Sequence, residues 1–402
     1  MTKPGLIGFI EMNEKTMPET CDIAIIGGGP VGAALALALR DSKLNVCVLE
    51  ARPANAASND ARALALSYGS RLLLARLGIW DALHDVSAIR TIHISQQQSF
   101  GRAVLRAEEL NVPELGYVLP YPALQGTLDQ ALQHSNTTMI YGASVTDLQG
   151  GSDHATVAYQ QSGTAHTLLA RLAVVADGGK LLAQQHPPEV RDYGQSALIT
   201  HVTCATLQIN TAFERFTPQG PLALLPFREG YELVWTAQHQ VAQEMLTWDG
   251  AKFLRELHQQ FGDRVGEFLS VGQRVCFPLG LKRAPQQTPM PHTVLLGNAA
   301  QTLHPVAGQG FNMGLRDAWE LAQEILDVVP ESLGTEAMLA AYRSQRRTDR
   351  EAGIRFTDGL VRLFSNDLPV LSAGRAAALT ALDCLPFAKK FVAKRMMFGA
   401  NG

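Results

Sequence analysis

Asp22 to Arg52 of this 402-residue chain reads DIAIIGGGPVGAALALALRDSKLNVCVLEAR. Asp22–Ile26 is short, β-branched and apolar at successive positions, the pattern of a parallel strand buried on both faces. It runs into Gly27-Gly28-Gly29-Pro30-Val31-Gly32, a GxGxxG. Gly27 permits a tight turn, Gly29 lets backbone N–H groups approach a pyrophosphate, and Gly32 lets the next helix pack on the strand. That helix is predicted over Val31–Arg40, with its positive N-terminal end toward the phosphates. A second strand is predicted over Asn45–Leu49. Glu50 follows it, about 20 residues beyond the motif, where a carboxylate can take both hydroxyls of a ribose. A bare GxGxxG is weak evidence, since a glycine-rich turn needs no ligand. Strand, helix, second strand and acid together indicate a dinucleotide site, and they leave NAD and FAD both open.

The composition is that of an ordinary globular protein, 46% hydrophobic and 18% charged, with length enough for two or three domains. A formal net charge of -3 offers no basic footprint for nucleic acid. Cys21, Cys47, Cys204, Cys276 and Cys384 form no CxxC and have no histidines at ligand spacing. They are expected to be buried free thiols in a reducing cytoplasm, without a metal. Residues 1–19, interrupted by Lys3, Glu11, Glu14, Lys15 and Glu19, are expected to be a disordered lead-in. No apolar run reaches the roughly 18 residues of a membrane span.

Two later segments repeat the plan of a strand followed by glycine. Arg171–Lys180, RLAVVADGGK, is a strand ending in Asp177-Gly178. His292–Asp317, HTVLLGNAAQTLHPVAGQGFNMGLRD, is a strand, then Gly297-Asn298, a loop, and a helix expected to begin near Gly310. The order and spacing of the three segments resemble the single-component flavoprotein aromatic hydroxylases related to para-hydroxybenzoate hydroxylase. FERFTPQGPLALLPF (Phe213–Phe227), Leu233-Val234-Trp235 and the stretch from Gly297 to Asp317 resemble the ubiquinone-biosynthesis branch of that family. Within it they are most similar to hydroxylases of 2-octaprenyl-6-methoxyphenol. The likeness covers nearly everything from about Asp22 into the C-terminal region.

The resemblance implies an α/β fold with a Rossmann-like FAD-binding domain, an inserted antiparallel β-sheet substrate domain, and a helical C-terminal region. The expected bounds are 20–85, 117–185 and 285–330 for the first, 86–116 and 186–284 for the second, and 331–402 for the third. Alternation in ALITHVTCAT, PLALLP and YELVWTA supports the sheet, with a helix expected on it over Trp248–Phe261. The implied cofactor is FAD, with NAD(P)H as a transient co-substrate, and with O2 and a polyprenylated phenol as substrates. FAD is long and must be gripped from several parts of the chain. By family likeness Gly27, Gly29, Pro30, Gly32 and Glu50 take the pyrophosphate and AMP ribose, and Arg62 and Gln125 lie along flavin and pyrophosphate. Asp177 marks a cofactor-proximal turn. Asn298 stands where the family usually has an aspartate for the ribityl hydroxyls, and an amide can still hydrogen-bond a hydroxyl. The loop from His304 through Pro305, Gly308, Gln309 and Gly310 to Asn312 is expected against the isoalloxazine ring, with its glycines admitting close backbone approach. One departure falls at Gly179-Lys180, where the family has serine and arginine in a segment tied to FAD and NAD(P)H contacts.

Such an enzyme supplies binding and a dry pocket while the cofactor carries the chemistry, so no nucleophile is expected. GxSxG, HExxH and Walker A are absent. His304 is a candidate base, set against a loop histidine satisfied by backbone. Trp235 and Phe216 read as sheet core, set against direct substrate contact, and Arg215 as solvated or salt-bridged, set against a role near NAD(P)H. Leu385–Phe398, LPFAKKFVAKRMMF, reads either as a basic amphipathic helix at a membrane interface or as a helix docked on its own protein. A cytoplasmic protein is expected, peripheral at the inner membrane in the first case, with a ubiquinone-biosynthesis complex or a homo-oligomer as its assembly. The alternatives are the same chemistry on a small soluble phenol, a flavin reductase without oxygen insertion, and a non-catalytic subunit of the ubiquinone-synthesis complex.

Overall fold

The computed structural model describes residues 18–400 apart from 55, 57–59, 61, 98 and 365–368. The expected lead-in therefore lies outside the described residues except at its last two positions. Strand Thr20–Ile26 sits between Val46–Glu50 and Thr164–Val175, parallel to both. Thr138–Tyr141 and Thr293–Leu295 extend the parallel run, and Ala155–Gln161 and Ser144–Gly150 complete a seven-stranded sheet in antiparallel order. Period two divides each central strand between two cores. Ile23, Ile25, Val48 and Val174 pack with the helices Pro30–Ala38, Tyr121–Gln133 and Gln309–Leu326, while Ala24, Ile26, Leu49 and Val175 enter the layer behind. Covering both faces is what makes these strands read as unbroken apolar runs. The first helix starts at Pro30, a residue suited to N1, and ends two residues before the expected Arg40.

A nine-stranded sheet runs Gln301–Thr302, Val275–Arg283, Glu189–Cys204, Gly230–Gln238, Gly220–Phe227, Thr211–Thr217, Thr91–Gln96, Arg102–Arg106, with Phe268–Val271 also on Glu189–Cys204. It is not wholly antiparallel as expected: Thr211–Thr217 pairs with Thr91–Gln96 in parallel. Hairpins fix the direction of Arg102–Arg106 on Thr91–Gln96 and of the run from Thr211–Thr217 to Gly230–Gln238, whereas Thr91–Gln96 and Thr211–Thr217 are joined by a long excursion through the first sheet, which leaves direction free. One face buries Phe213, Leu222, Leu224, Leu233 and Trp235 beneath the helices His239–Thr247 and Gly250–Phe261. The second of these starts later than the expected Trp248, because the Asp249 carboxylate accepts the Lys252 N–H at 2.7 Å and caps it.

Three helices follow, Glu336–Phe364, Pro369–Cys384 and Pro386–Phe398. Arg346 and Asp317 are both fully buried and pair at 2.7 Å. Arg346 also meets Glu320 at 3.0 Å and Asp349 at 2.8 Å, locking helix Gln309–Leu326 to helix Glu336–Phe364. Cys21, Cys47 and Cys204 are buried, but Cys276 is half-buried and Cys384 exposed, contrary to expectation, the latter at the surface end of its helix. Among the described residues no helix is long and apolar enough to cross a membrane.

Candidate active site

The three glycine turns converge on one cavity of about 1480 Å³, above the roughly 300–1,000 Å³ of an ordinary small-ligand pocket. Gly27, Gly29, Pro30, Glu50, Arg62 and Asp177 line it. So do Asn298, Pro305, Gly308, Gln309, Gly310 and Asn312. Gly27 has φ +107°, and a Cβ there would stand 2.6 Å from the Ala176 carbonyl oxygen, so only glycine lets the first turn lie against the strand end beside it. Gly29 and Gly310 differ in kind. A Cβ at Gly310 meets nothing within 4 Å, and at Gly29 only the Tyr121 hydroxyl at 3.9 Å. These two positions border open space, a cradle that a ligand backing onto the N-termini of two helices would fill.

Several of the sequence-derived polar residues hold the turns instead of facing the cavity. Gln125 is buried outside the lining and donates to the Gly28 carbonyl at 2.9 Å and to Asp129 at 2.7 Å. Gly32 is likewise outside the lining, since a Cβ there would sit 2.1 Å from the Gly27 carbonyl oxygen. One Glu50 oxygen accepts the Gly28 N–H at 2.7 Å and the other the Arg52 N–H at 2.8 Å. Asp177 accepts N–H groups of Gly179, Lys180 and Leu181 at 2.8, 3.0 and 2.6 Å, which closes its turn through the unusual Gly-Lys segment. Asn312 accepts from the Ser67 N–H at 2.8 Å and the Ser70 hydroxyl at 2.7 Å, and donates to Ala65 and Gly308 carbonyls at 3.0 and 2.6 Å. It thereby pins strand Ala63–Ser67 to the glycine loop. Asn298 is exposed toward the cavity and free to meet hydroxyls. Arg62 pairs with Asp60; burial pushes the Asp60 carboxyl up, but the hydrogen bonds from Arg62 outweigh it and hold it below its ordinary range.

His304 is turned away from the cavity that its neighbours Leu303 and Pro305 line. It is 1% exposed, its Nδ1 accepts the Val306 N–H at 3.1 Å, and its ring meets the Tyr193 ring edge-on at 5.4 Å. Burial pushes its pKa down to about 4, so it is a neutral structural imidazole, and the flavin-facing role expected for it is withdrawn.

The opposite wall is the free face of the nine-stranded sheet. Ile94, Ala212, Phe216, Ala223, Leu225 and Val234 project from it into the cavity. Helix Glu336–Phe364 adds Phe356, Leu360 and Phe364, and the last helix adds Val392 and Met396. Trp235 lies on the other face as expected, but Phe216 both stacks on Phe364 at 3.9 Å and borders the cavity. Arg215 donates to the Gln260 carbonyl at 2.7 Å on the far face. Glu214, which the sequence reading passed over, stands among the apolar wall residues. Its signal lay in FERF: in a strand, Glu214 is in phase with Ala212 and Phe216, not with Phe213 and Arg215.

Residues 20–357 match the FAD-binding-domain family. The chain belongs to that family. The ubiquinone hydroxylase UbiL of Rhodospirillum rubrum is 30% identical to it over 393 residues, covering 94% of this chain and 90% of that one. The 3-demethoxyubiquinol 3-hydroxylase of Escherichia coli K12 is 31% identical over 377 residues, covering 90% and 94%. The crystal structure of p-nitrophenol 4-monooxygenase from Pseudomonas putida DLL-E4 shares the fold, with a TM-score of 0.76 at 16% identity over 95% of this chain and 99% of that one. FAD is the resident cofactor of this flavoprotein monooxygenase, and the turn end of the cavity fits it: two helix N-termini, two unobstructed glycines and an exposed Asn298.

Proposed function

We propose that the protein hydroxylates the aromatic ring of a polyprenylated phenol in ubiquinone biosynthesis, 2-polyprenyl-6-methoxyphenol, using NAD(P)H and O2. The observation that carries this reading is the continuity of one cavity from a backbone-rich turn end to an almost wholly carbon-lined far end. Bound FAD supplies the two-electron chemistry that activates O2 and delivers one atom to the ring. Gly29, Gly310 and the two helix N-termini hold its phosphates and ring system with backbone N–H groups. Phe216, Leu225, Val234 and Leu360 keep water from the reacting carbon. Of the cations in the lining, Arg52 and Arg62 are paired with acids and Lys180 stands at the Asp177 turn. Among the described residues the sheet wall thus offers a phenol largely apolar contact and no cationic clamp for a carboxylate, which favours a prenylated ring over a hydroxybenzoate.

In this reading 20–85, 117–185 and 285–330 form the FAD-binding domain, 86–116 and 186–284 the substrate roof, and 331–402 a helical closure. The last helix docks on the protein: Ser67 donates to the Met397 carbonyl at 2.9 Å, and Lys389 pairs with Asp383 at 2.9 Å and Glu109 at 3.3 Å. Lys389 therefore leaves the basic face expected of it. Phe387, Lys390, Phe391, Lys394 and Arg395 stay exposed. We assign that remaining face to peripheral contact with an anionic bilayer, from which a polyprenylated substrate would enter.

Purified FAD-loaded protein given NAD(P)H, isotopically labelled O2 and a short-chain 2-prenyl-6-methoxyphenol should yield a product carrying one labelled oxygen atom. Nicotinamide oxidation with no labelled product, or preferred turnover of a hydroxybenzoate, would overturn the assignment.

A further inference from the structure

Glu214 sits in the middle of strand Thr211–Thr217, opposite Ala223 on one neighbouring strand and Ile94 on the other. Across the antiparallel pair the Cβ atoms of Glu214 and Ala223 stand roughly 4.5–5.5 Å apart, and Ile94 is its register partner on the parallel side, so both cross-strand neighbours are apolar. Along its own strand, Ala212 and Phe216 share its face. Its carboxylate makes no hydrogen bond or ion pair with a described residue. A carboxylate left so among carbon side chains is costly unless something else uses it.

We propose that Glu214 is a catalytic residue whose carboxylate accepts the hydrogen of the substrate's phenolic hydroxyl. This rests on the reading of the substrate as a prenylphenol. A phenol ionises near pH 10, so it reaches the cavity protonated and its ring is then a weak nucleophile. As Glu214 takes the proton, the O–H bond breaks and its electron pair delocalises from the ring oxygen onto the ortho and para carbons. The ring carbon that gains an oxygen atom from O2 later loses its own hydrogen as a proton to the ring oxygen, restoring the aromatic phenol. The proton on Glu214 goes to the second atom of O2, which leaves as water. NAD(P)H supplies two electrons as a hydride and solvent supplies one proton; those two hydrogens complete the water and the new ring hydroxyl, and Glu214 ends as the carboxylate.

Burial alone pushes the Glu214 pKa up to about 7, which poises it for this transfer near neutral pH. Among the described residues no charged group faces it across the wall. His93, Ser95 and Arg215 point to the far side of the sheet, where Arg215 donates to both Ser95 and the Gln260 carbonyl and His93 packs on Phe213. Phe356, Leu360 and Phe364 come from one covering helix and Leu379 and Leu382 from the next. The remaining ionisable linings, Glu50, Arg52, Arg62, Tyr121, Asp177 and Lys180, belong to the turn end.

Glu214→Gln and Glu214→Asp, each first shown to hold FAD and melt like the wild type, test the assignment. Wild-type hydroxylation of the short-chain prenylphenol should rise with pH through a step near 7, where the accepting carboxylate forms. Glu214→Gln should lose that step and fall roughly a hundredfold in rate, while Glu214→Asp keeps the step at a lower rate. Without nicotinamide, the pH dependence of prenylphenol binding, followed by the flavin absorbance, should likewise vanish in Glu214→Gln and persist in Glu214→Asp. A Glu214→Gln enzyme matching the wild type in rate, coupling and pH profile overturns the role of Glu214 and leaves the substrate reading standing. Wild-type protein that neither binds nor hydroxylates the prenylphenol sinks both.

Discussion

At the turn end of the cavity, Asp177, Glu50, Gln125 and Asn312 commit their side chains to protein backbone, leaving N–H groups, glycine surface and helix ends for the ligand. At the sheet end the backbone is tied up in the ladder and only side chains face inward, nearly all of them carbon. A long charged cofactor suits the first wall, because fixed dipoles bind phosphate without burying a full protein charge. A ring that must meet activated oxygen away from water suits the second. The difference predicts that mutations at the turn end act through the geometry of the backbone, and those at the sheet end through what occupies the cavity.

The harshest break should come at Gly32. A valine there would place its Cβ 2.1 Å from the Gly27 carbonyl oxygen, so the first turn and its helix cannot both keep their places. Gly32→Val should give no soluble flavin-bearing protein, as judged by flavin absorbance after purification. Asp317→Ala comes next. It leaves Arg346, which is fully buried, without its closest partner, a loss of about 3–5 kcal/mol for a broken buried pair. Denaturant unfolding measures that loss. Because the pair lies outside the cavity lining, the folded fraction should still bind FAD, and failure to do so would blur the distinction between scaffold and site.

His304 sharpens the comparison through pH. Its folded pKa of about 4 lies below the ordinary 6.5, so between those values the unfolded chain binds a proton that the native state refuses. Stability should therefore be insensitive to this residue above pH 6.5 and fall as the pH drops toward 4, by up to roughly 3 kcal/mol. His304→Asn should flatten that slope without altering turnover at neutral pH. A change in the pH profile of turnover instead would return His304 to the chemistry.

The turn end was largely legible in the sequence because its information is local. GxGxxG, Asp177-Gly178 and Gly297-Asn298 each specify a turn within a few residues, and parallel strands buried on both faces advertise themselves as apolar runs. Which of those residues meet the cavity and which brace it was not legible: Gln125 reaches Gly28 across 97 positions, and Asn312 reaches Ser67 across 245. The sheet end was legible only as alternation. Glu214 escaped because a charge in a strand reads as solvent-facing until the residues turned toward it from the neighbouring strands and two covering helices are known to be apolar. The tail was half legible, since its composition permits a docked helix and an interfacial one, and the structure divides its faces between the two uses.

Gly310→Val should disturb the folded chain least and test the comparison most directly. The position opens helix Gln309–Leu326 without a left-handed φ, and an added Cβ meets no protein atom within 4 Å, so valine should shift apoprotein stability by less than about 1 kcal/mol. If the space is kept clear for the flavin, the same side chain must collide with it. FAD titration of the apoprotein, followed by flavin fluorescence, should then show affinity reduced at least tenfold, about 1.4 kcal/mol, beside an unchanged melting temperature. Gly32→Val cannot separate these effects because it damages fold and site together. A Gly310→Val protein with undiminished affinity would mean that this glycine only gives the loop its freedom, and that the flavin lies elsewhere along the cavity.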